Sequence, residues 1–284
     1  MNTPIHSLTA LLATSIAIFT ATAVQSATLA NDNFTLSNGT GVGTVSDASS
    51  SGVGTYSTIQ GTNGMSVTTQ SGFGSGNVLS LAINSNTYYR AFDTAGFTLN
   101  SLSVGETLSL SYSIRFSGTP DGTAKNFSFG FVNNSSPNSI IYANVDLATT
   151  GAADSEFRYR SGSFNMSDTG LIAGTSFAAT ALAASTNYTF GLNVTKTATG
   201  FDISYLRDGS TIGTSSLLSS STWATAMGGV TMTGIALRYS STPNVTTYID
   251  NVSVTTFSAV PEPSTFALIG GLGALGFAAS RRRR

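Results

Sequence analysis

The chain has 284 residues, of which 9% are charged against about 25% in ordinary globular proteins, and Gly, Ser, Thr and Asn crowd the spaces between short apolar runs. It has no cysteine and one histidine, His6, which excludes a disulfide framework and, beyond that position, thiolate or imidazole chemistry near neutral pH. Residues 27–260 hold eight Lys/Arg against twelve Asp/Glu, a net of −4, so the clustered positive charge that nucleic-acid binding requires is missing and no nucleic-acid partner is expected.

In chain order, Leu8 to Val24 is apolar and uncharged and is followed by small residues at Val24-Gln25-Ser26 or Thr28-Leu29-Ala30. That pattern predicts a signal-peptide helix over residues 1–27, cut by signal peptidase. The segment Met1 to Ser7 has no Lys or Arg, which departs from the usual pattern. An uncleaved N-terminal anchor is the alternative, although the run is short for a bilayer of about 30 Å.

Residues 28–258 are expected to form one all-β domain. Thr107 to Phe116 alternates Leu108, Leu110, Tyr112, Ile114 and Phe116 with Ser109, Ser111, Ser113 and Arg115, the period of a half-buried antiparallel strand. The same period runs through Phe127-Phe129-Phe131, Tyr188 to Val194, Phe201-Ile203-Tyr205 and Ile235-Leu237-Tyr239. Shorter strands are expected at Leu79–Ile83, Tyr88–Phe92, Ile140–Leu147, Glu156–Arg160 and Val252–Phe257. Asn63-Gly64, Asp121-Gly122 and Asp208-Gly209 mark turns, because Gly, Asn and Asp accept positive φ cheaply. Ten or more strands at such intervals predict an antiparallel two-sheet β-sandwich, with a closed barrel as the competitor, and Leu217 to Met227 allows one short helical turn. The segment Gly105 to Asn134 and the closing Tyr248-Ile249-Asp250-Asn251-Val252-Ser253-Val254 resemble strands of concanavalin A-like (laminin G-like) jelly rolls.

That resemblance raises a glycanase, in which two carboxylates flank the scissile bond. No Glu-x-Asp-x-x-Glu strand is present, and Glu106, Asp154, Glu156 and Asp168 are the carboxylates from which an unrecognised pair would have to come. No enzymatic activity is therefore expected. Sugar contact without catalysis would use tyrosines beside polar groups: Tyr88 and Tyr89 next to Arg90, Tyr142 with Asn144, and Tyr159 between Arg158 and Arg160. No cofactor is required. Calcium, which needs only oxygen ligands, is the one metal to consider, at Asp32 and Asp250, which could meet if the first and last strands are neighbours; the alternative at Asp250-Asn251 is a bulge without metal.

At the far end, Pro261-Glu262-Pro263 precedes the apolar, Gly-rich run Thr265 to Ala279, and Arg281, Arg282, Arg283 and Arg284 close the sequence. The prolines hold the backbone extended, the run is just long enough to cross a bilayer as a helix, and the arginines favour the cytoplasmic side. The three parts in this order resemble the PEP-CTERM sorting signal, here residues 259–284; a plain tail anchor is the alternative. The resemblance implies an exosortase-type membrane protease as partner, transient inner-membrane anchoring through residues 265–280, and an exported, cell-surface or extracellular destination. The expectation is a non-enzymatic surface or matrix protein that contacts exopolysaccharide. Its rivals are a secreted glycan hydrolase and a purely structural coat subunit, for which a long exposed sheet edge would be the cue.

Overall fold

The computed structural model describes residues 26–32, 34, 44–46, 55–60, 65–73, 76–81, 86–92, 94–118, 127–133, 139–145, 147, 155–161, 172, 177, 182–218, 222–239 and 245–258. The signal-peptide segment, the Asn63-Gly64 and Asp121-Gly122 turns, and the Pro-Glu-Pro, apolar and arginine segments lie outside them. Among the described residues no helix is long and apolar enough to cross a membrane.

In chain order the strands are β1 (Ala27–Asp32), β2 (Thr44–Ser46), β3 (Thr55–Gln60), β4 (Met65–Thr69), β5 (Asn77–Leu81), β6 (Asn86–Ala91), β7 (Phe97–Thr98), β8 (Glu106–Phe116) and β9 (Phe127–Asn133). They continue as β10 (Ser139–Val145), β11 (Glu156–Ser161), β12 (Asn187–Lys196), β13 (Gly200–Arg207), β14 (Ser210–Leu218), β15 (Thr231–Met232), β16 (Gly234–Tyr239) and β17 (Thr247–Ser258). One short helix, α1 (Thr222–Met227), lies inside the stretch expected to turn.

The strands build the expected antiparallel sandwich. One sheet has the order β14-β13-β12-β8-β17-β5-β4, with β1 added beside β17; the other runs β11-β10-β9-β16-β6-β3-β2; β7 and β15 form a small separate pair. The first and last strands do meet, with Asp32 opposite Val252.

Alternation decides which side chains are inside. On β8 the buried set is Leu108, Leu110, Tyr112, Ile114 and Phe116, while Ser109, Ser111, Ser113 and Arg115 stay partly open on the outer face. From the facing sheet β9 contributes Phe127, Phe129 and Phe131. The rings interlock across the gap: Tyr112 meets Phe129 edge-on at 5.2 Å and Tyr205 on β13 meets Phe129 at 6.0 Å, while Phe190 on β12 packs beside Tyr205 within the same sheet at 5.5 Å. Each such ring contributes about 1.5–3 kcal/mol of burial, which is how a cysteine-free domain holds its sheets together. At the β11 and β14 end of the sandwich, Phe177 fills the mouth, 5.1 Å from Phe157 and stacked on Tyr205 at 5.5 Å.

Candidate functional site

The same parity sorts the candidate tyrosines. In the seven-stranded sheet Tyr88 on β6 pairs with Leu237 and points into the core, and Tyr159 on β11 pairs with Ile141 and packs against that core. Their neighbours Tyr89 and Tyr142 take the opposite face, where they cluster with Val132, Ile140 and Ala236. The expectation of four exposed sugar platforms is corrected here. Tyr88 and Tyr159 face inward, and on the outer face Tyr142 is 0% and Tyr89 9% accessible, the Tyr89 hydroxyl donating to the Thr233 carbonyl at 3.3 Å.

What the outer face does bring together is read from the register. One row across the sheet is Thr87, Arg238, Ser128, Asn144 and Glu156; the next is Tyr89, Ala236, Gly130, Tyr142 and Arg158; a third is Ala91, Gly234, Val132, Ile140 and Arg160. At about 4.8 Å per strand, Arg238 and Glu156 stand some 14 Å apart. Ser128 donates to Asn144 Oδ1 at 2.8 Å, and Arg158 Nε bonds Glu156 Oε1. Small side chains along the middle row, Ala236 and Gly130, keep the floor low between Tyr89 and Tyr142; a Cβ at Gly130 would collide with the Ile141 carbonyl and the Tyr142 backbone. The guanidinium-bearing Arg158, Arg160 and Arg238 are the half-buried members, three of the eight cations between residues 27 and 260, with Glu156 the one acid in these rows. Arg238 and Ser128 were not singled out from sequence; with Ile235 and Leu237 inward, the alternation of Gly234–Tyr239 already puts Arg238 outside.

Arg90, grouped in sequence with the sugar candidates, has Tyr88's parity and turns inward. Its Nε lies 3.4 Å from Asp32 Oδ2, its Nη2 donates to the Asn31 carbonyl at 3.2 Å and its Nη1 to the Ala91 carbonyl at 3.1 Å. Asp32 Oδ1 accepts from the Phe34 amide at 3.0 Å. The calcium expectation is thereby corrected at Asp32: its carboxylate is the buried counterion of a cross-sheet arginine. Asp250 is also fully buried, its oxygens accepting from the amide and side chain of Asn251 at 2.8 and 3.2 Å in a β-bulge where Asn251 takes φ 51°. Among the described residues no group of three or more His, Cys, Asp or Glu gathers to hold a metal.

Of the carboxylates weighed for hydrolysis, Asp154 and Asp168 lie outside the described residues. Glu106 opens β8 in the eight-stranded sheet, accepting from the Ser103 amide at 2.8 Å, whereas Glu156 sits on β11 of the other sheet. The two described carboxylates therefore do not share a face.

The family model of the PEP-CTERM protein-sorting motif matches residues 259–284. The chain carries a PEP-CTERM sorting motif at its C-terminus. That motif implies export, transient membrane anchoring and processing by an exosortase, a membrane enzyme. It covers the tail alone. No curated protein matches the chain. Among solved structures, the alginate lyase Aly36B aligns at 11% identity over 81% of this chain and 96% of its own, TM-score 0.43. A Lotus tetragonolobus seed lectin aligns at 11% over 82% and 100%, TM-score 0.45, and an endo-1,3-beta-glucanase from Streptomyces sioyaensis at 14% over 82% and 97%, TM-score 0.41. Lectins and glycan-cleaving enzymes are thus among the aligned structures, but at these TM-scores no ligand or reaction passes from them to this chain.

Proposed function

We propose that this PEP-CTERM protein works at the cell surface or in the extracellular matrix as a non-enzymatic structural or adhesive protein, contacting polysaccharide through the outer face of the seven-stranded sheet. The observation that carries the reading is the register itself. It brings the half-buried Arg158, Arg160 and Arg238 onto one face, around the buried Ser128, Asn144, Tyr89 and Tyr142, while the outer face of β8 and β12 presents mainly Ser, Thr and Asn. Guanidinium groups recognise ring hydroxyls and carboxylates by directed hydrogen bonds, and that mode does not need an exposed stacking ring. The absence of catalysis is supported by the lack of His and Cys after His6 and by the placement of Glu106 and Glu156 on different sheets.

Calorimetric titration of residues 27–258 with the exopolysaccharide of the producing cell tests this. Saturable binding is expected, weakened about tenfold by Arg238→Ala, the loss of one charge-assisted hydrogen bond. Because Asp32 is committed to Arg90, a chelator is expected to leave the affinity unchanged. Absence of binding, or binding indifferent to Arg158→Ala, Arg160→Ala and Arg238→Ala, would remove the polysaccharide reading.

A further inference from the structure

Every open sheet ends in strands with one unpaired row of backbone amides and carbonyls, and soluble proteins blunt such edges with charge, brevity or bulges. Most of the ends here are blunted. β2 has three residues and β4 five; β11 carries Glu156, Arg158 and Arg160; β1 is interrupted by a bulge between Thr28 and Ala30.

β14 is different. It ends the eight-stranded sheet, runs nine residues as Ser-Thr-Ile-Gly-Thr-Ser-Ser-Leu-Leu, and contains no charge and no proline. Its one irregularity lies at Ile212, after which Gly213 to Leu218 pair in unbroken register with Tyr205 to Gly200. Thr211, Thr214 and Ser216 are exposed, and among the described residues no strand lies on the side away from β13. The strand is also held firmly in place. Phe177, stacked on Tyr205, closes against Gly213, where a Cβ would strike its ring.

We propose that β14 pairs antiparallel with β14 of a second copy of this chain, joining two eight-stranded sheets across a two-fold axis. A strand without charge can face itself without opposing like charges: with the two-fold axis at its central residue, Thr214 faces itself, Ile212 faces Ser216 and Thr211 faces Leu217. An uncharged edge carries nothing that would select a different strand, whereas the sorting motif delivers every copy to the same membrane and raises their mutual concentration. Two-fold pairing consumes both edges, so it closes at a dimer rather than growing a fibre.

The absence of cysteine gives a clean test in the full exported chain. Opposed residues in an antiparallel pair have Cα atoms about 4.5–5.5 Å apart, within disulfide range, and with the two-fold axis at the centre of the strand the residue that faces its own copy is Thr214. Single variants Thr211→Cys, Thr214→Cys and Ser216→Cys are oxidised on intact cells and resolved without reductant, with Ser111→Cys, in the middle of the same sheet, as the control. At least one β14 variant is expected to double in apparent mass while Ser111→Cys stays monomeric. The paired change Thr211→Lys with Ser216→Lys, at exposed positions, is expected to abolish cross-linking through Thr214→Cys while leaving the circular dichroism spectrum unchanged. No cross-link at any β14 position, equal cross-linking at Ser111, cross-links to a different protein, or dimers that survive the two lysines would each overturn the proposal.

Discussion

Arg90 and Asp32 have no accessible side-chain surface, and they sit on different sheets, so the pair acts as a clamp between layers rather than as surface decoration. Desolvating two charges consumes most of what their attraction returns, which makes the pair weak evidence for net stability. Removing one partner is another matter, because a buried charge is then left uncompensated. Arg90→Met is expected to cost about 3–5 kcal/mol in urea unfolding. Combining it with Asp32→Asn is expected to recover part of that loss, since the amide oxygen still accepts from Phe34 without carrying charge. A double variant no more stable than Arg90→Met would mean that the charge on Asp32 is not what the guanidinium neutralises.

Among elements, the β13–β14 hairpin is the most directly specified. Asp208 and Gly209 take φ 51° and 77°, the two positive values of a type I′ turn, and Asp208 Oδ1 also accepts from the Thr189 amide at 2.8 Å. A Cβ at Gly209 would meet nothing within 4 Å, so Gly209→Ala isolates backbone cost from crowding. A loss of about 1–2 kcal/mol is expected, with Asp208→Asn near neutral because Asn tolerates the same conformation. Chemical denaturation of the two variants checks this, and an unaffected Gly209→Ala would argue against the left-handed turn. That hairpin also marks what sequence can and cannot show. The turn and strands β8, β9, β12, β13 and β16 are legible because one side chain in two is large and apolar. β3, β4 and β14 are not, because Thr and Ser fall on both parities and leave no period to read. For the site, sequence proposed Tyr88 and Tyr89 together. Only their pairing with Leu237 and Ala236 shows that one faces the core and the other the outer face. Arg90 belongs with Tyr88 by the same parity, and its partner Asp32 lies 58 positions away, a contact no local pattern reports.

At the scale of the whole molecule, stability rests chiefly on an aromatic core shared by both sheets, and among its buried tyrosines are Tyr112 and Tyr205. Burial raises Tyr112 well above the ordinary tyrosine value, with Tyr205 adding to the shift. Burial also raises Tyr205, partly opposed by Arg207. In the unfolded chain both would titrate near their ordinary value of about 10. Folded-state values above the unfolded ones mean that the fold holds more protons than the open chain once pH exceeds about 10, so the stability they confer is complete below that pH and drains away as pH climbs toward the folded values. The slope is about 1.4 kcal/mol per pH unit for each tyrosine. Urea midpoints measured from pH 9 to 11.5 are therefore expected to be flat at first and then to fall steeply. Tyr112→Phe separates this from general alkaline damage. The Tyr112 hydroxyl has no hydrogen-bond partner among the described residues, so the variant strands no partner and is expected to match or exceed the parent below pH 10. Above it, the midpoint should fall with a slope shallower by one tyrosine's share. Parallel curves for parent and variant would show that Tyr112 does not ionise on unfolding, and that the alkaline weakness lies elsewhere in the chain.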